Sequence, residues 1–164
     1  MAHHFVNMDL GFVVAAAEGF TLRGELVIRE LTLIFPDGLE QHFIFCNPEN
    51  FVLSETDRKT VKFTERYLNG FSASDNKNIC LPHSIYPKIL EKIQNCRIYC
   101  AGETAHRFFA RHLPYSPVID VYSLFDFKYP NELENPRCFK LHRYRYCSLA
   151  KARFLRQRLE GYRL

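Results

Sequence analysis

The sequence lacks the features of a membrane-spanning or exported protein. It contains no apolar run that approaches the roughly 18 residues needed to cross a bilayer. Its opening, MAHHFVNMDL, has neither the basic start nor the apolar stretch of a secretory signal. We therefore expect an intracellular protein of the nucleus, the cytoplasm or both, with no membrane among its partners.

Two kinds of catalytic centre are also missing. No stretch offers a nucleophile beside its base, and no cluster of acids is suited to hold magnesium. Internal repeats, low-complexity tracts and interdomain linkers are absent as well. With 164 residues, of which 47% are hydrophobic, the chain has the material for one domain spanning residues 1–164.

Acidic residues are scarce at one end of the chain. Residues 137–164 contain nine Lys or Arg but only one acid, Glu160, whereas the whole chain carries +4. Such an end is typical of a surface that binds a polyanion, although a solvated helix without a partner is an alternative. Its mixture of cations and aromatic rings suits phosphate contact and stacking on single-stranded bases. The candidate nucleic-acid-binding residues are Lys140, Arg143, Tyr144, Arg145, Lys151, Arg153, Arg156 and Arg158.

The six cysteines allow two interpretations, a disulfide set or reduced thiols. The absence of an export signal favours reduced thiols, with Cys46 and Cys100 as small buried hydrophobes. Cys138 and Cys147 stand apart because His142 lies between them. Ligands at this spacing can meet one tetrahedral zinc ion, which would tie the last helix to the sheet. The alternative is a metal-free pair of thiols with the histidine packed nearby.

The hydrophobic periodicity predicts an α/β domain with a mixed sheet flanked by helices. Apolar runs at residues 11–17, 26–35 and 41–46, separated by turn signals, predict an antiparallel three-strand meander. Helices and two further strands then alternate. They are a helix from Ser54 to Gly70, a helix over 86–94, a strand over 97–101, a helix over 102–113, a strand over 118–121 and a basic amphipathic helix from Cys147.

Four segments carry the most specific similarity: FVVAAAEGF (12–20), YCAGETAH (99–106), PVIDVYSL (117–124) and CSLAKA (147–152). Together with the element order they resemble the DEDDh exonuclease branch of RNase H-like domains, over about residues 10–160. The resemblance places Ala16 where the first metal-binding aspartate belongs and retains Glu18. Cys147 and Lys151 stand in place of the last motif's general base and acid. A lysine there would repel the divalent cations of two-metal hydrolysis, so we expect catalysis to be lost.

An altered acidic set is the alternative. Glu18, Glu103, Asp120 and a histidine would then hold Mg²⁺ or Mn²⁺ in an active 3′–5′ exonuclease or other ribonuclease. Within this hypothesis Glu103 is an imperfect substitute for a missing aspartate, and Asp120 lies at a position that is usually structural.

A further stretch, RELTLIF (29–35) followed by HFIF (42–45) and Asn47-Pro48, is similar to the Maelstrom domain, a divergent relative of those exonucleases. Similar degenerate domains are frequent in arthropod sequences and in their viruses and transposons. The likeness implies a zinc ion held by Glu30, Cys138, His142 and Cys147. It also implies a role in small-RNA silencing of the piRNA type, with single-stranded RNA and silencing-pathway proteins as partners. A protein-interaction scaffold that does not bind RNA is the remaining alternative.

Overall fold

A five-stranded mixed sheet forms the centre of the computed structural model, which describes residues 11–49, 51–65, 80–130 and 147–162. Three antiparallel strands form one half, and two strands parallel to β1 extend it, in the order β3-β2-β1-β4-β5. The predicted meander with two further strands is confirmed. The strands are β1 (Phe12–Leu22), β2 (Glu25–Ile34), β3 (Glu40–Ile44), β4 (Arg97–Cys100) and β5 (Val118–Asp120).

Helices cover both faces of this sheet, as the alternating pattern predicts. They are α1 (Glu55–Phe63), α2 (Tyr86–Glu91), α3 (Glu103–His112) and α4 (Ser148–Tyr162), with short 3-10 turns at His83–Ile85 and Val121–Ser123. The Ser54 hydroxyl caps α1 by accepting the Asp57 N–H at 3.1 Å, in agreement with the predicted capping box. Residues 66–70 of the predicted first helix lie outside the described residues. Among the described residues, no helix is long and apolar enough to span a membrane.

Helix α2 is shorter than the predicted 86–94 because its end tightens. The N–H groups of Lys92, Ile93 and Gln94 each donate to the carbonyl three residues earlier, which is 3-10 rather than α-helical bonding. Asn95 then takes a positive φ of 73°, which ends the helical path.

Strand β1 continues through Gly19, beyond the strand predicted at residues 11–17. The register with β2 shifts between Glu18 and Gly19, so the glycine marks a β-bulge inside the strand. A Cβ atom at Gly19 would lie 1.9 Å from the Val27 carbonyl oxygen, so only glycine permits this approach. The strand turns instead at Arg23 and Gly24, both with positive φ, the conformation of a tight hairpin.

The side chains of β1 alternate between two separate hydrophobic cores, so this strand is buried on both faces. Val13 and Ala15 pack with residues of α2 and α3, whereas Val14 and Ala16 pack with residues of α4. The α4 side of β2 is different because it presents polar groups, Glu30 and Thr32, both fully buried. Buried polar groups of this kind need partners, and these partners define the site below.

The cysteines depart from the predicted reduced state at one point. Cys46 and Cys80 form a disulfide with their Cα atoms 5.3 Å apart, so the prediction that Cys46 is a reduced thiol is wrong. The main chain brings them together, since Cys46 N–H donates to Leu81 O and Leu81 N–H donates to Ile44 O, each at 2.8 Å. Cys100 is free and buried as predicted, and burial, with the nearby Asp120 carboxylate, raises the pKa of its thiol to about 12.

We expect the Cys46→Ala/Cys80→Ala variant to lose about 3–4 kcal/mol of unfolding free energy. The bond closes a loop with a sequence separation of 34, and removing it enlarges the unfolded ensemble. Urea denaturation of oxidised protein measures the loss, and the Cys96→Ala variant, which removes a free thiol, is the matched control. Alkylation of both Cys46 and Cys80 in unreduced, unfolded protein would contradict the bond.

Candidate functional site

Two glutamates stand side by side under the beginning of α4. Glu18 of β1 and Glu30 of β2 are register partners, so their side chains leave the same face of the sheet. The Glu18 side chain is 14% exposed and that of Glu30 is 0% exposed. Because like charges opposite each other on neighbouring strands repel, each carboxylate requires its own compensating group.

Lys151 compensates Glu18. Its ammonium group forms an ion pair and hydrogen bond with the Glu18 carboxylate, and it lies 5.3 Å from the centre of the Tyr129 ring. These are the two positions that the exonuclease resemblance assigns to the retained first-motif acid and the replaced last-motif acid. A cation that approached Glu18 would meet the lysine already bound there.

Aromatic side chains close the space next to this ion pair. Tyr129 packs against Phe127 and Phe154, with ring centroids 4.8 and 5.9 Å away. Ala16, where the exonuclease resemblance would place an aspartate, belongs to the buried cluster around Phe127. Burial holds the pKa of Tyr129 well above its usual value, and the neighbouring Glu18 carboxylate raises it further. The phenol is therefore a neutral group beside the ion pair at ordinary pH.

The other two candidate catalytic acids have separate local roles. Glu103 is 82% exposed and pairs with Arg107 one turn along α3 at 2.7 Å. Asp120 accepts the N–H groups of Gly102 at 3.0 Å and of Tyr122 at 3.1 Å, which fixes the chain after β4 and β5. Within the described ranges, no group of three or more His, Cys, Asp or Glu side chains is placed to hold a metal ion.

The N-terminus of α4 compensates Glu30. The Ser148 N–H, in the first turn of the helix, donates to Glu30 Oε1 at 2.5 Å, where the helix dipole also favours a negative charge. The Cys147 sulfur lies 3.8 Å from Glu30 Oε2, and His42 Nε2 lies 2.7 Å from the same oxygen. The Thr32 and Ser148 hydroxyls share a further hydrogen bond of 2.8 Å.

Two of the four predicted zinc ligands are thus adjacent. Glu30 and Cys147, 117 positions apart in sequence, approach to a distance that fits two ligands of one tetrahedral zinc ion, which are about 3.5 Å apart. Cys138 and His142 lie outside the described residues.

His42 is a member of this site that the sequence interpretation missed. It is two residues from Ile44, the register partner of Glu30, so strand alternation places it on the Glu30 face. That alternation is the signal that could have identified it.

The basic residues of α4 bind acceptors within the chain. Arg153 makes two hydrogen bonds to Glu40, at 2.8 and 2.9 Å, and this contact lowers the pKa of the Glu40 carboxyl. Arg156 donates to the Phe35 and Pro36 carbonyl oxygens at 2.6 and 2.9 Å. With Lys151 on Glu18, three of the four predicted α4 contacts to nucleic acid hold the helix on the sheet.

The guanidinium of Arg158 stacks over an aromatic ring, that of Phe125, with 5.6 Å between the guanidinium carbon and the ring centre. Its side chain is exposed. The remaining predicted contacts, Lys140, Arg143, Tyr144 and Arg145, lie outside the described residues.

We expect Lys151→Met to lower the unfolding free energy by about 2–3 kcal/mol, because it leaves the largely buried Glu18 carboxylate without its main counter-charge. Glu18→Gln should be destabilising too, whereas the double variant should recover much of the loss. Urea denaturation of the four proteins measures the coupling. The exposed Glu103–Arg107 pair provides the matched control, with a coupling below about 0.5 kcal/mol. Simple additivity of the Glu18 and Lys151 effects would contradict the interpretation.

Comparison with protein-family models, curated proteins and solved structures returns no match to this chain.

Proposed function

We propose that this chain is a catalytically inactive, exonuclease-like domain that binds single-stranded RNA without cutting it. The observation that carries the proposal is the ion pair between Glu18 and Lys151. Two-metal hydrolysis needs several carboxylates around two cations a few ångströms apart. Here the retained carboxylate has an ammonium partner instead, beside a neutral phenol and an apolar cluster.

The choice of RNA as ligand follows from the basic end of the chain and from the resemblance to the Maelstrom domain. That resemblance also leads us to propose a place in small-RNA silencing of the piRNA type. Among the described residues, the exposed Arg158 is the α4 cation best placed to meet a phosphate.

A protein-interaction scaffold is a second candidate, and one observation favours it. Lys151, Arg153 and Arg156 all bind acceptors in the sheet or its turns, so α4 offers an external polyanion fewer free charges than its sequence suggests. Nucleic-acid affinity depends on the number of phosphates that cations neutralise. A domain with few available cations is better suited to a protein partner.

We further propose that a structural zinc ion is held by Glu30, Cys138, His142 and Cys147. The adjacency of Glu30 and Cys147 supports this set. A closed four-ligand site would supply binding energy for folding rather than an open position for water. Its effect would be to fasten the beginning of α4 to β2.

A labelled single-stranded RNA mixed with the purified protein should shift without shortening, equally with and without added Mg²⁺ or Mn²⁺. Added salt should weaken the complex, since phosphate contacts release counterions. Gel mobility and denaturing electrophoresis of the same samples separate binding from cleavage.

Other results would contradict this proposal. Shortening that needs Mg²⁺ or Mn²⁺ and disappears in the Glu18→Gln/Lys151→Met variant would indicate an active nuclease. Shortening that persists in the variant would come from a contaminating enzyme. The absence of a shift at modest salt would overturn RNA binding and favour the scaffold.

Elemental analysis of the purified protein should find one zinc ion per chain. Cys147→Ser and Glu30→Gln should each lower the zinc content, because each removes a ligand, and a chelator should lower the midpoint of thermal unfolding. Cys96→Ser, which alters a thiol outside the proposed set, is the control and should retain the metal. Folded protein without zinc would contradict the site.

A further inference from the structure

A cleft of about 280 Å³ opens at the C-terminal end of α4, where the helix meets the segment that follows β5. Its size is near the lower end of small-molecule sites, roughly 300 Å³, which suits a single planar ring with its immediate substituents. None of its residues belongs to the Glu18 or Glu30 contacts. The lining residues are Phe125, Asp126, Gln157, Arg158, Gly161 and Tyr162.

One wall of the cleft is aromatic. The Phe125 and Tyr162 rings pack with their centroids 4.7 Å apart and an interplanar angle of 33°. The Tyr162 hydroxyl donates to the Leu124 carbonyl oxygen at 3.3 Å, which holds the ring in place. Tyr162 is nevertheless 46% exposed. A ring that is oriented and still open to solvent is a platform on which a nucleobase can stack.

The polar side chains that line the cleft are exposed and available to a ligand. Asp126, Gln157 and Arg158 have no hydrogen-bond or ion-pair partner among residues 11–49, 51–65, 80–130 and 147–162. The Arg158 guanidinium rests over Phe125, which orients it without neutralising its charge. The cleft therefore brings together a cation, an amide and a carboxylate beside a stacking surface.

We propose that this cleft captures one base of single-stranded RNA. The base stacks on Tyr162, Arg158 contacts a flanking phosphate, and Gln157 and Asp126 meet the base edge. The Asp126 carboxylate is only an acceptor. It favours adenine, cytosine and guanine, whose amino groups each offer two hydrogens, over uracil, whose edge offers the single N3–H. This inference rests on the proposed RNA binding and assigns it a position and a base preference.

Gly161 offers a way to block the cleft without disturbing the fold. A Cβ at this helical position would meet no atom within 4 Å, and replacing glycine favours the helix. The Gly161→Leu side chain would then project into the open volume that the base is proposed to occupy.

The test is fluorescence anisotropy of labelled oligo(A), oligo(C) and oligo(U) with the full chain. The wild type should bind oligo(A) and oligo(C) more tightly than oligo(U). Tyr162→Ala and Gly161→Leu should each weaken oligo(A) binding about tenfold, and Asp126→Asn should reduce the discrimination against oligo(U). Arg158→Gln should lower the salt dependence by about one phosphate contact.

Matched controls lie elsewhere on the surface. Tyr115→Ala removes a tyrosine that is 76% exposed, and Lys88→Gln removes an exposed cation of α2, so neither should change the affinity. If Tyr162→Ala and Gly161→Leu bind RNA as tightly as the wild type, the cleft is not the base-binding site. The proposed RNA-binding function would then still stand. A wild type that binds none of the three oligonucleotides would overturn both.

Discussion

The domain depends on the compensation of two carboxylates that β1 and β2 place next to each other. Neither Glu18 nor Glu30 has enough solvent to remain charged at low cost, and their proximity adds repulsion. Helix α4 compensates both charges. Its Lys151 ammonium pairs with Glu18, and the Ser148 N–H in its first turn donates to Glu30. Its position and register on the sheet follow from these contacts as much as from apolar packing.

The same compensation bears on the choice between enzyme and binding module. In a two-metal nuclease the repulsion between acids is relieved by cations that also perform the chemistry. In this chain the described residues relieve it through Lys151 and the first turn of α4, and Ala16, Phe127 and Tyr129 pack in the adjoining volume. This arrangement leaves the Glu18 carboxylate paired and mostly buried, and the proposed function rests on that feature.

Much of the architecture could be predicted from the sequence because hydrophobic alternation and turn residues are local signals. The meander, the two added strands and the last helix all follow from them. Three features could not be predicted because they depend on contacts between different elements of the fold. The close approach of Gly19 to Val27 makes it a bulge rather than a break in the strand. The pairing of Leu81 brings Cys46 into a disulfide. The acceptors that the sheet and its turns present bind three of the cations of α4.

The order of the elements along the chain gives the pairing of Glu18 with Lys151 a consequence for biosynthesis. The hairpin of β1 and β2 leaves the ribosome more than a hundred residues before the lysine that neutralises it. Until then the two carboxylates must stay hydrated, so the nascent hairpin cannot bury this face. Docking of α4 onto this face of the sheet is therefore a late step, which follows the synthesis of both hairpin strands.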